Sequence, residues 1–434
     1  MTNLQGRHAL VVGLGKSGTA AAALLRAKGA TVAVADDAKV AFDGVVRPVT
    51  PAALHGVDMV VASPGVPLSS AIFTEARSRG LPIFAEVELA ARFIEEPLLG
   101  ITGTNGKSTT TALTGHLLVT AGQNAFTGGN LGTPLSQRVL DGGRLDAAVC
   151  ELSSYQLEGI VSFRCAAATV LNVTPDHLDR YASLDEYTAA KARIFENQRQ
   201  GDLAVLNLED PRVAAMRTNQ GVRRAGFNPR ASAPAASACV EGKRSLRVGA
   251  DRFELRALTL RGDHNAENAL AALLLARTLV DDLAALQRGL DSYPGLPHRL
   301  EPVRVLDGVE WVNDSKATNV DSVEKSLSAF EHGVVLILGG RGKGAPYEPL
   351  RRLIEGRVKL ILTIGEDAEK VRDELGDAAP TADCGTLAQA IDLAREKARA
   401  GDTVLLSPAC ASYDQFRSFE DRGDQFKRLV RGLQ

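Results

Sequence analysis

The chain has 434 residues, 45 % of them hydrophobic and 24 % charged, a globular balance that excludes a largely disordered or fibrous protein. At roughly 150 residues per domain the length asks for about three compact units. Lysine plus arginine number 50 against 52 aspartate plus glutamate, a formal charge of -2, so nothing general draws the chain to nucleic acid and any anion site must be local.

The N-terminal "MTNLQGRHALVVGLG" lacks the charged head and cleavage site of a signal peptide, and no apolar run approaches the roughly 18 to 20 residues of a membrane span. Cys150, Cys165, Cys239, Cys384 and Cys410 are scattered with no CxxC pair, which argues against a disulfide framework or a zinc cluster. The expectation is a cytoplasmic protein without membrane insertion.

In chain order, "HALVV", the turn "GLGKSG", an alanine and leucine pattern from Thr19 to Ala27 and "TVAVADD" read as strand, glycine turn, helix and strand. "DMVVAS" and "LPIFA" are further strands around a helix at Ala71 to Arg79, and this α/β domain ends near residue 90. A second unit opens with "PLLGIT" and continues with strands "DAAVCEL", "AATVLNV" and "DLAVLNL" and a helix over "LDEYTAAKARIFENQ". Such alternation predicts a mostly parallel sheet. "PRASAPAASA" reads as a loop, "RSLRVGADRFEL" as a hairpin, "NAENALAALLLARTL" as a helix and "SYPGLPHR" as a hinge. Beyond it, "EWVND", "VVLILGG", "VKLILTIG" and "DTVLLSP" alternate with helices and form another open α/β sheet.

Chemistry concentrates in the loops after strands. Gly103, Thr104, Asn105, Gly106, Lys107, Ser108 and Thr109 follow a strand and open a helix, so backbone N–H groups would cradle phosphate, Lys107 would reach the outer phosphates and Ser108 would offer a hydroxyl to Mg²⁺. The loop departs from a strict Walker A, because Ile101 stands where the first glycine is expected. Glu151 ends an apolar strand, as a Mg²⁺ ligand or as a solvated strand-end carboxylate. Asp176, His177 and Asp179 gather beyond the next strand. Lys191, within "YTAAKARIF", reads from its neighbours as an exposed solubilising lysine, and spacing does not distinguish it from Arg193.

The N-terminal loop Gly13, Leu14, Gly15, Lys16, Ser17, Gly18, with Asp36 ending the next strand, matches the dinucleotide fingerprint and suits NAD, FAD or a UDP-linked substrate alike. In the last unit "PHR" (His298, Arg299), "NDSKATN" (Asp314, Lys316, Thr318), "GGRGKG" (Arg341, Lys343) and "SPACASYDQF" (Ser412, with Phe419 nearby) are polar. Each alone could be a turn-rich loop, but the last three follow strands and would converge on one sheet edge. Cys410 has no evident base partner and reads as structural or as pocket lining.

Together "GITGTNGKSTTT", "ELSSYQLE", "LNVTPDHLDRY", "AAKARIFEN", "GDHNAENALAA", "GLPHRLE", "NDSKATN" and "LSPACASYDQF" resemble the Mur ligases of peptidoglycan synthesis, over nearly the whole chain. The resemblance implies three α/β domains: a Rossmann-like N-terminal domain (1–90) binding a UDP-substrate, a central P-loop ATPase-like domain (91–296) binding ATP, and a Rossmann-like C-terminal domain (297–434). It implies an ATP-dependent amide ligase in which the carboxylate of UDP-N-acetylmuramoyl-L-alanine takes the γ-phosphoryl group and the amine of D-glutamate attacks the acyl phosphate. In that scheme Ser108 and Glu151 bind one Mg²⁺, His177 and Lys191 serve a second, and Lys191 carries a CO₂-derived carbamate. Asn265 and Asn268 lie near the adenine, and His298, Arg299 and Asp314 near the ribose and phosphates. Lys107, His177, Lys191 and Lys316 are catalytic. Thr318, Lys343, Ser412 and Phe419 hold D-glutamate, Asn130 and His177 meet the muramoyl substrate, and the Gly13 to Gly18 loop carries the UDP.

Two departures from the family pattern accompany this. "ADDAK" replaces an arginine beside the uracil, leaving Asp36 or Asp37 for the uridine, and Arg341 stands where an acid can occur, making the D-glutamate pocket more positive. The expected protein is a monomer that closes its third domain over ATP about a hinge near Pro297. The competing readings are weaker: a nicotinamide oxidoreductase explains only the first glycines, a sister ligase adding a diamino acid lacks its "DNPR"-type segment, a folylpolyglutamate-type ligase does not fit the UDP-type N-terminal domain, and a GTP switch lacks NKxD.

Overall fold

A computed structural model describes residues 3–38, 41–176, 180–228, 237–241, 244–260, 262–342 and 344–434. Its strands form three sheets in two compact units, Met1–Glu254 with Glu267–Asp291, and Leu255–Ala266 with Ser292–Gln434.

The first sheet contains β1 (His8–Val12), β2 (Thr31–Ala35), β3 (Val45–Arg47), β4 (Met59–Ala62) and β5 (Ile83–Ala85), ordered β3-β2-β1-β4-β5 and parallel throughout. Helices α1 (Lys16–Ala27), α2 (Ala71–Ser78) and α3 (Glu86–Ala91) accompany it. The chain winds one way from β1 to β3 and the other from β4 to β5, so a crevice opens at the carboxyl ends of β1 and β4. α1 forms because Ala20, Ala21, Ala22, Leu24 and Leu25 bury one broad face, and it ends where Gly29 turns at φ +88°.

Nine strands make the second sheet: β6 (Leu98–Thr102), β7 (Ala125–Gly129), β8 (Ala147–Glu151), β9 (Ala167–Val170), β10 (Leu203–Asn207), β11 (Arg223–Asn228), β12 (Ala238–Glu241), β13 (Ser245–Val248) and β14 (Asp251–Glu254). Their order is β14-β13-β12-β11-β10-β9-β6-β8-β7. The expected hairpin is present as β13 and β14, antiparallel to each other and, through β13, to β12. The helices are α4 (Lys107–Thr120), α5 (Leu135–Asp141), α6 (Ser154–Glu158), α7 (Leu184–Ala192), α8 (Pro211–Ala214), α9 (Asp263–Ala276) and α10 (Leu283–Ser292). The helix expected from Leu184 to Gln198 is shorter: α7 stops at Ala192 and tightens into a 3₁₀ turn at Arg193–Phe195, which buries Ile194 and Phe195. Most of the loop expected at "PRASAPAASA" lies outside the described residues.

In the second unit β15 (Glu301–Leu306), β16 (Val309–Asn313), β17 (Val334–Gly339), β18 (Val358–Ile364), β19 (Thr381–Gly385) and β20 (Thr403–Leu406) are ordered β15-β16-β20-β17-β18-β19. Only β15 runs antiparallel to its neighbour. The apolar runs that marked β17 and β20 are fully buried, as expected for strands covered on both faces. Helices α11 (Val320–Leu327), α12 (Arg351–Ile354), α13 (Ala368–Leu375), α14 (Leu387–Lys397) and α15 (Phe419–Gly432) complete the unit. Among the described residues no helix is long and apolar enough to cross a membrane.

Candidate active site

At the crevice of the first sheet, the loop after β1 is built for close approach. Gly13 takes φ +88°, and a Cβ on Gly18 would lie 1.9 Å from the Gly13 carbonyl oxygen, so α1 can seat against the strand only with glycine there. Asp36 closes this loop: its Oδ2 accepts from Leu14 N at 2.6 Å and its Oδ1 from Ala38 N at 2.8 Å. Asp37 accepts from Val49 N at 2.8 Å. The opposite wall is the turn after β4, since a Cβ on Gly13 would sit 3.0 Å from Ser63 Cβ and 3.0 Å from Val66 Cγ2. The turn "SPGV" thus forms this wall, and in the sequence it is marked only by a Pro-Gly pair directly after an apolar strand.

The loop between β6 and α4 turns at Gly106, whose φ is +84° and where a Cβ would meet Asn268 Oδ1 at 2.3 Å. Asn172, just beyond β9, shapes the loop. Its Oδ1 accepts from Asn105 N at 2.8 Å and Thr104 N at 3.1 Å, and its Nδ2 donates to Asn105 O at 3.2 Å. Lys107 folds back to donate to Gly103 O and Thr104 O at 2.9 and 2.8 Å. Asn268 on α9 accepts from Thr110 Oγ1 at 3.1 Å. Asn265, three residues earlier on that helix, is also buried and falls among the residues of the second unit.

β6 and β8 are paired with Ile101 opposite Glu151, which brings Glu151 to the root of the phosphate loop. It is buried, not a solvated strand end. Oε1 accepts from Asn130 Nδ2 at 2.7 Å, whereas Oε2 is buried with no hydrogen-bond partner. Such an orphan is costly unless a cation or donor completes it, and Ser108, buried at the start of α4, supplies a second oxygen of the hard kind that Mg²⁺ takes.

Lys191 corrects the reading made from its neighbours. It is 1 % exposed, because α7 turns this side chain inward to donate to Gly103 O at 2.8 Å and to lie 4.3 Å from the centre of the Tyr187 ring. Burial, and then the charge of Lys107, push its pKa down to about 7, while Asp176 acts the other way. Arg193, which spacing could not tell from it, ties Ile160 O and Glu196 instead. His177 and Lys343, both expected in the site, lie outside the described residues.

Within the second unit, Asp314 is buried and clasps three segments: Leu300 N at 3.1 Å, Ser326 Oγ at 2.6 Å and Ser407 Oγ at 2.7 Å. Burial raises its pKa to about 6. His298 adopts φ +63°, its Nδ1 lies 3.1 Å from Asn313 Nδ2, and burial lowers its pKa. Its carbonyl accepts from Lys316 N at 3.0 Å, its ring meets Phe419 edge-on at 6.0 Å, and Lys316 Nζ is 5.5 Å from the Phe419 ring centre. Arg299 is exposed, and Thr318 N donates to Lys316 O.

Ser412 is buried after Ala409, whose φ of +60° is backbone strain of the kind stored at functional loops. Arg422, unforeseen from sequence, is wholly buried and joins these loops by donating to Ser315 Oγ, Ser315 O and Cys410 O at 2.9, 2.9 and 3.1 Å. The Cys410 thiol is pushed up to about 11, chiefly by burial, so it is no ready nucleophile. Arg341 adds less positive charge than its sequence position implied, because Glu366 pairs with it at 3.0 and 2.8 Å.

A glycine-lined loop at a sheet crevice, a Walker-like loop beside an orphaned carboxylate, and a third α/β sheet with polar loops at its strand ends fit a nucleotide-handling enzyme class. Comparison with known proteins narrows it. The models of the MurD-like N-terminal domain of Mur ligases, the Mur ligase middle domain and the Mur ligase glutamate ligase domain match residues 7–85, 101–276 and 298–410. The chain is 52 % identical to a UDP-N-acetylmuramoylalanine--D-glutamate ligase of Myxococcus xanthus, over 99 % of each chain. It is 53 % identical to the protein of the same name from Anaeromyxobacter dehalogenans, over 98 % of each. Among solved structures it resembles a UDP-N-acetylmuramate-alanine ligase from Thermotoga maritima (TM-score 0.61, 18 % identity, 98 % of this chain and 99 % of that one). A pseudomurein peptide ligase from Methanothermus fervidus is alike in fold (TM-score 0.61, 18 % identity, 99 % and 100 %). The chain belongs to the Mur ligase family.

Proposed function

We propose that this protein joins D-glutamate to UDP-N-acetylmuramoyl-L-alanine with ATP, releasing ADP and phosphate in the cytoplasmic stage of peptidoglycan precursor synthesis. The observation that carries the substrate assignment is the likeness to D-glutamate ligases at 52 % identity over 99 % of the chain. A carboxylate is a poor electrophile, and passing through an acyl phosphate divides one difficult step into two. The alanyl carboxylate oxygen attacks the γ-phosphorus, and the bond to the β-phosphate oxygen breaks to release ADP. The neutral amine of D-glutamate then attacks the acyl carbon, a C–N bond forms, the C–O bond to phosphate breaks, and the amine proton passes to solvent.

In this reading the crevice between Gly13–Gly18 and Ser63–Val66 takes the UDP, with Asp36 holding its loop, and Asn130 meets the muramoyl part. Gly103 to Thr109 hold the phosphates of ATP, with Lys107 swinging from its own loop to the γ-phosphate. Ser108 and Glu151 would hold Mg²⁺, and the orphaned Glu151 Oε2 fits that ion. Bound there, Mg²⁺ would neutralise charge on the transferring phosphoryl group. Lys191 suits a carbamate because a buried amine with a pKa of about 7 is substantially neutral, and only the neutral amine attacks CO₂. Thr318, Ser412 and Phe419 would take D-glutamate and Lys316 would stabilise the developing charge, with His298 and Asp314 ordering the loops around them.

The deciding experiment measures phosphate release with ATP, Mg²⁺, UDP-N-acetylmuramoyl-L-alanine and a panel of amino acids. Release that depends on D-glutamate supports the assignment. Equal release with L-glutamate or a diamino acid sinks it.

A further inference from the structure

Arg180 has no role in the scheme above, yet it bridges loops belonging to two sheets of the first unit, one of them the Ser63–Val66 wall of the crevice. Its Nη1 donates to Pro64 O at 2.9 Å, in the turn after β4 that faces Gly13 across the crevice. Its Nη2 reaches Glu158 Oε2 at 3.2 Å, and its guanidinium carbon lies 3.7 Å from the centre of the Tyr155 ring. Both partners sit on α6, which a reciprocal Ser153–Gln156 capping box fixes at its start. At its end Ala85 N donates to Gly159 O at 2.8 Å, and Arg193 holds Glu158 O and Ile160 O. A guanidinium that must serve a carbonyl, a carboxylate and an aromatic face at once has one geometry available.

The contact does not stop at α6. Tyr155 stacks on Tyr181 with centroids 6.1 Å apart and planes at 23°, and the Tyr181 hydroxyl bonds Glu158. Tyr181 packs on Tyr187 at 5.2 Å. Tyr187 in turn lies beneath Lys191 Nζ and within 3.4 Å of the Thr104 hydroxyl in the phosphate loop. A continuous rank of rings therefore runs from the crevice wall at Pro64 to the phosphate loop. Rings packed in this way have little freedom to slide independently.

We infer that Arg180 is a positioning residue that sets the register of the acceptor-substrate loop Ser63–Val66 against the phosphate loop. This rests on the proposed function, in which the acceptor carboxylate must arrive in line with the γ-phosphate of ATP. Displacing one reactant by about 1 Å can cost as much as 10²-fold in rate. The guanidinium makes a requirement on shape as well as charge, so lysine should restore only part of its effect.

The test uses the full chain with Arg180→Gln and Arg180→Lys, varying each substrate in turn and measuring nucleotide binding separately by calorimetry. For Arg180→Gln kcat should fall about tenfold, with the KM for UDP-N-acetylmuramoyl-L-alanine within about threefold and ATP affinity within about twofold of wild type. Arg180→Lys should fall between Gln and wild type. An unchanged kcat, or a parallel loss of ATP affinity that marks general structural damage, overturns the assignment. Should neither variant fold, Glu158→Gln, which loosens one arm of Arg180, decides: a smaller fall in kcat supports the role and an unchanged kcat removes it. A wild-type protein with no D-glutamate-dependent turnover refutes the proposed function itself, whereas normal wild-type turnover with unaltered variants refutes only the role of Arg180.

Discussion

Replacing Asn172 by alanine tests whether the phosphate loop is shaped in advance of its ligand. The side chain makes three hydrogen bonds, to Asn105 N at 2.8 Å, Thr104 N at 3.1 Å and Asn105 O at 3.2 Å. Thr104 N would keep its bond to the Asn172 carbonyl at 2.9 Å, so the loss falls mainly on the two backbone groups of Asn105. These residues are only half-buried, and water can reach what is stranded. At about 1 kcal/mol net per bond the loop loses about 2 kcal/mol of order. If that order must be restored on binding, the affinity for ATP falls about thirtyfold. Calorimetry with a non-hydrolysable ATP analogue measures this directly, and the melting temperature of the variant reports any wider damage. An affinity within about threefold of wild type would refute the reasoning, as would a loss that merely follows a collapse of the whole fold.

Glu151→Gln keeps an oxygen for Asn130 and removes the charge at the orphaned position. Mn²⁺ binding by paramagnetic resonance, with an ATP analogue present, should weaken about tenfold or more, and undiminished binding removes Glu151 from the ion site. With a folded pKa of about 7, the neutral fraction of Lys191 falls from about 0.9 at pH 8 to about 0.1 at pH 6. Carbon-13 NMR of metal-free protein at fixed dissolved ¹³CO₂ should show a carbamate signal that drops accordingly and is absent from Lys191→Ala; a signal flat with pH, or retained in the variant, contradicts this. The same depressed pKa leaves the folded chain with fewer protons than the unfolded one, so this group makes stability rise with pH between about 7 and 10.5. Gly18→Ala forces a methyl against the Gly13 carbonyl and should cost about 1–3 kcal/mol together with binding of the UDP-linked acceptor. Calorimetry showing normal acceptor affinity would mean that the crevice is elsewhere.

Strands buried on both faces were legible because they read as apolar runs: "HALVV", "VVLILGG" and "TVLL" appear where the pattern put them. Edge and glycine-bearing strands were not, since β7 reads "AFTGG" and β15 carries Pro302 and the exposed Val305, which blur the alternation that marks a strand. The helix α10 buries Ala285, Leu286 and Leu290 on one face, a periodicity masked in the sequence by the proline and glycine turn directly after it.

The sequence by itself determined the phosphate loop, the N-terminal glycine crevice and the family, because backbone conformation at a glycine turn depends on local residue type and spacing. Tertiary structure alone decided which polar side chains lie within reach of these loops. Lys191 looked like a surface lysine until α7 turned it onto Gly103 O, and Glu151 showed an unanswered oxygen only once β8 was set beside β6. Nothing in their neighbours assigns these roles to Asn172, Arg422 and Arg180, although Asn172 and Arg180 lie within the recognised "LNVTPDHLDRY". Each of the three makes at least one bond to a group between 67 and 116 residues distant in sequence. Burial and long-range contact are properties of the folded chain, and no window of sequence contains them.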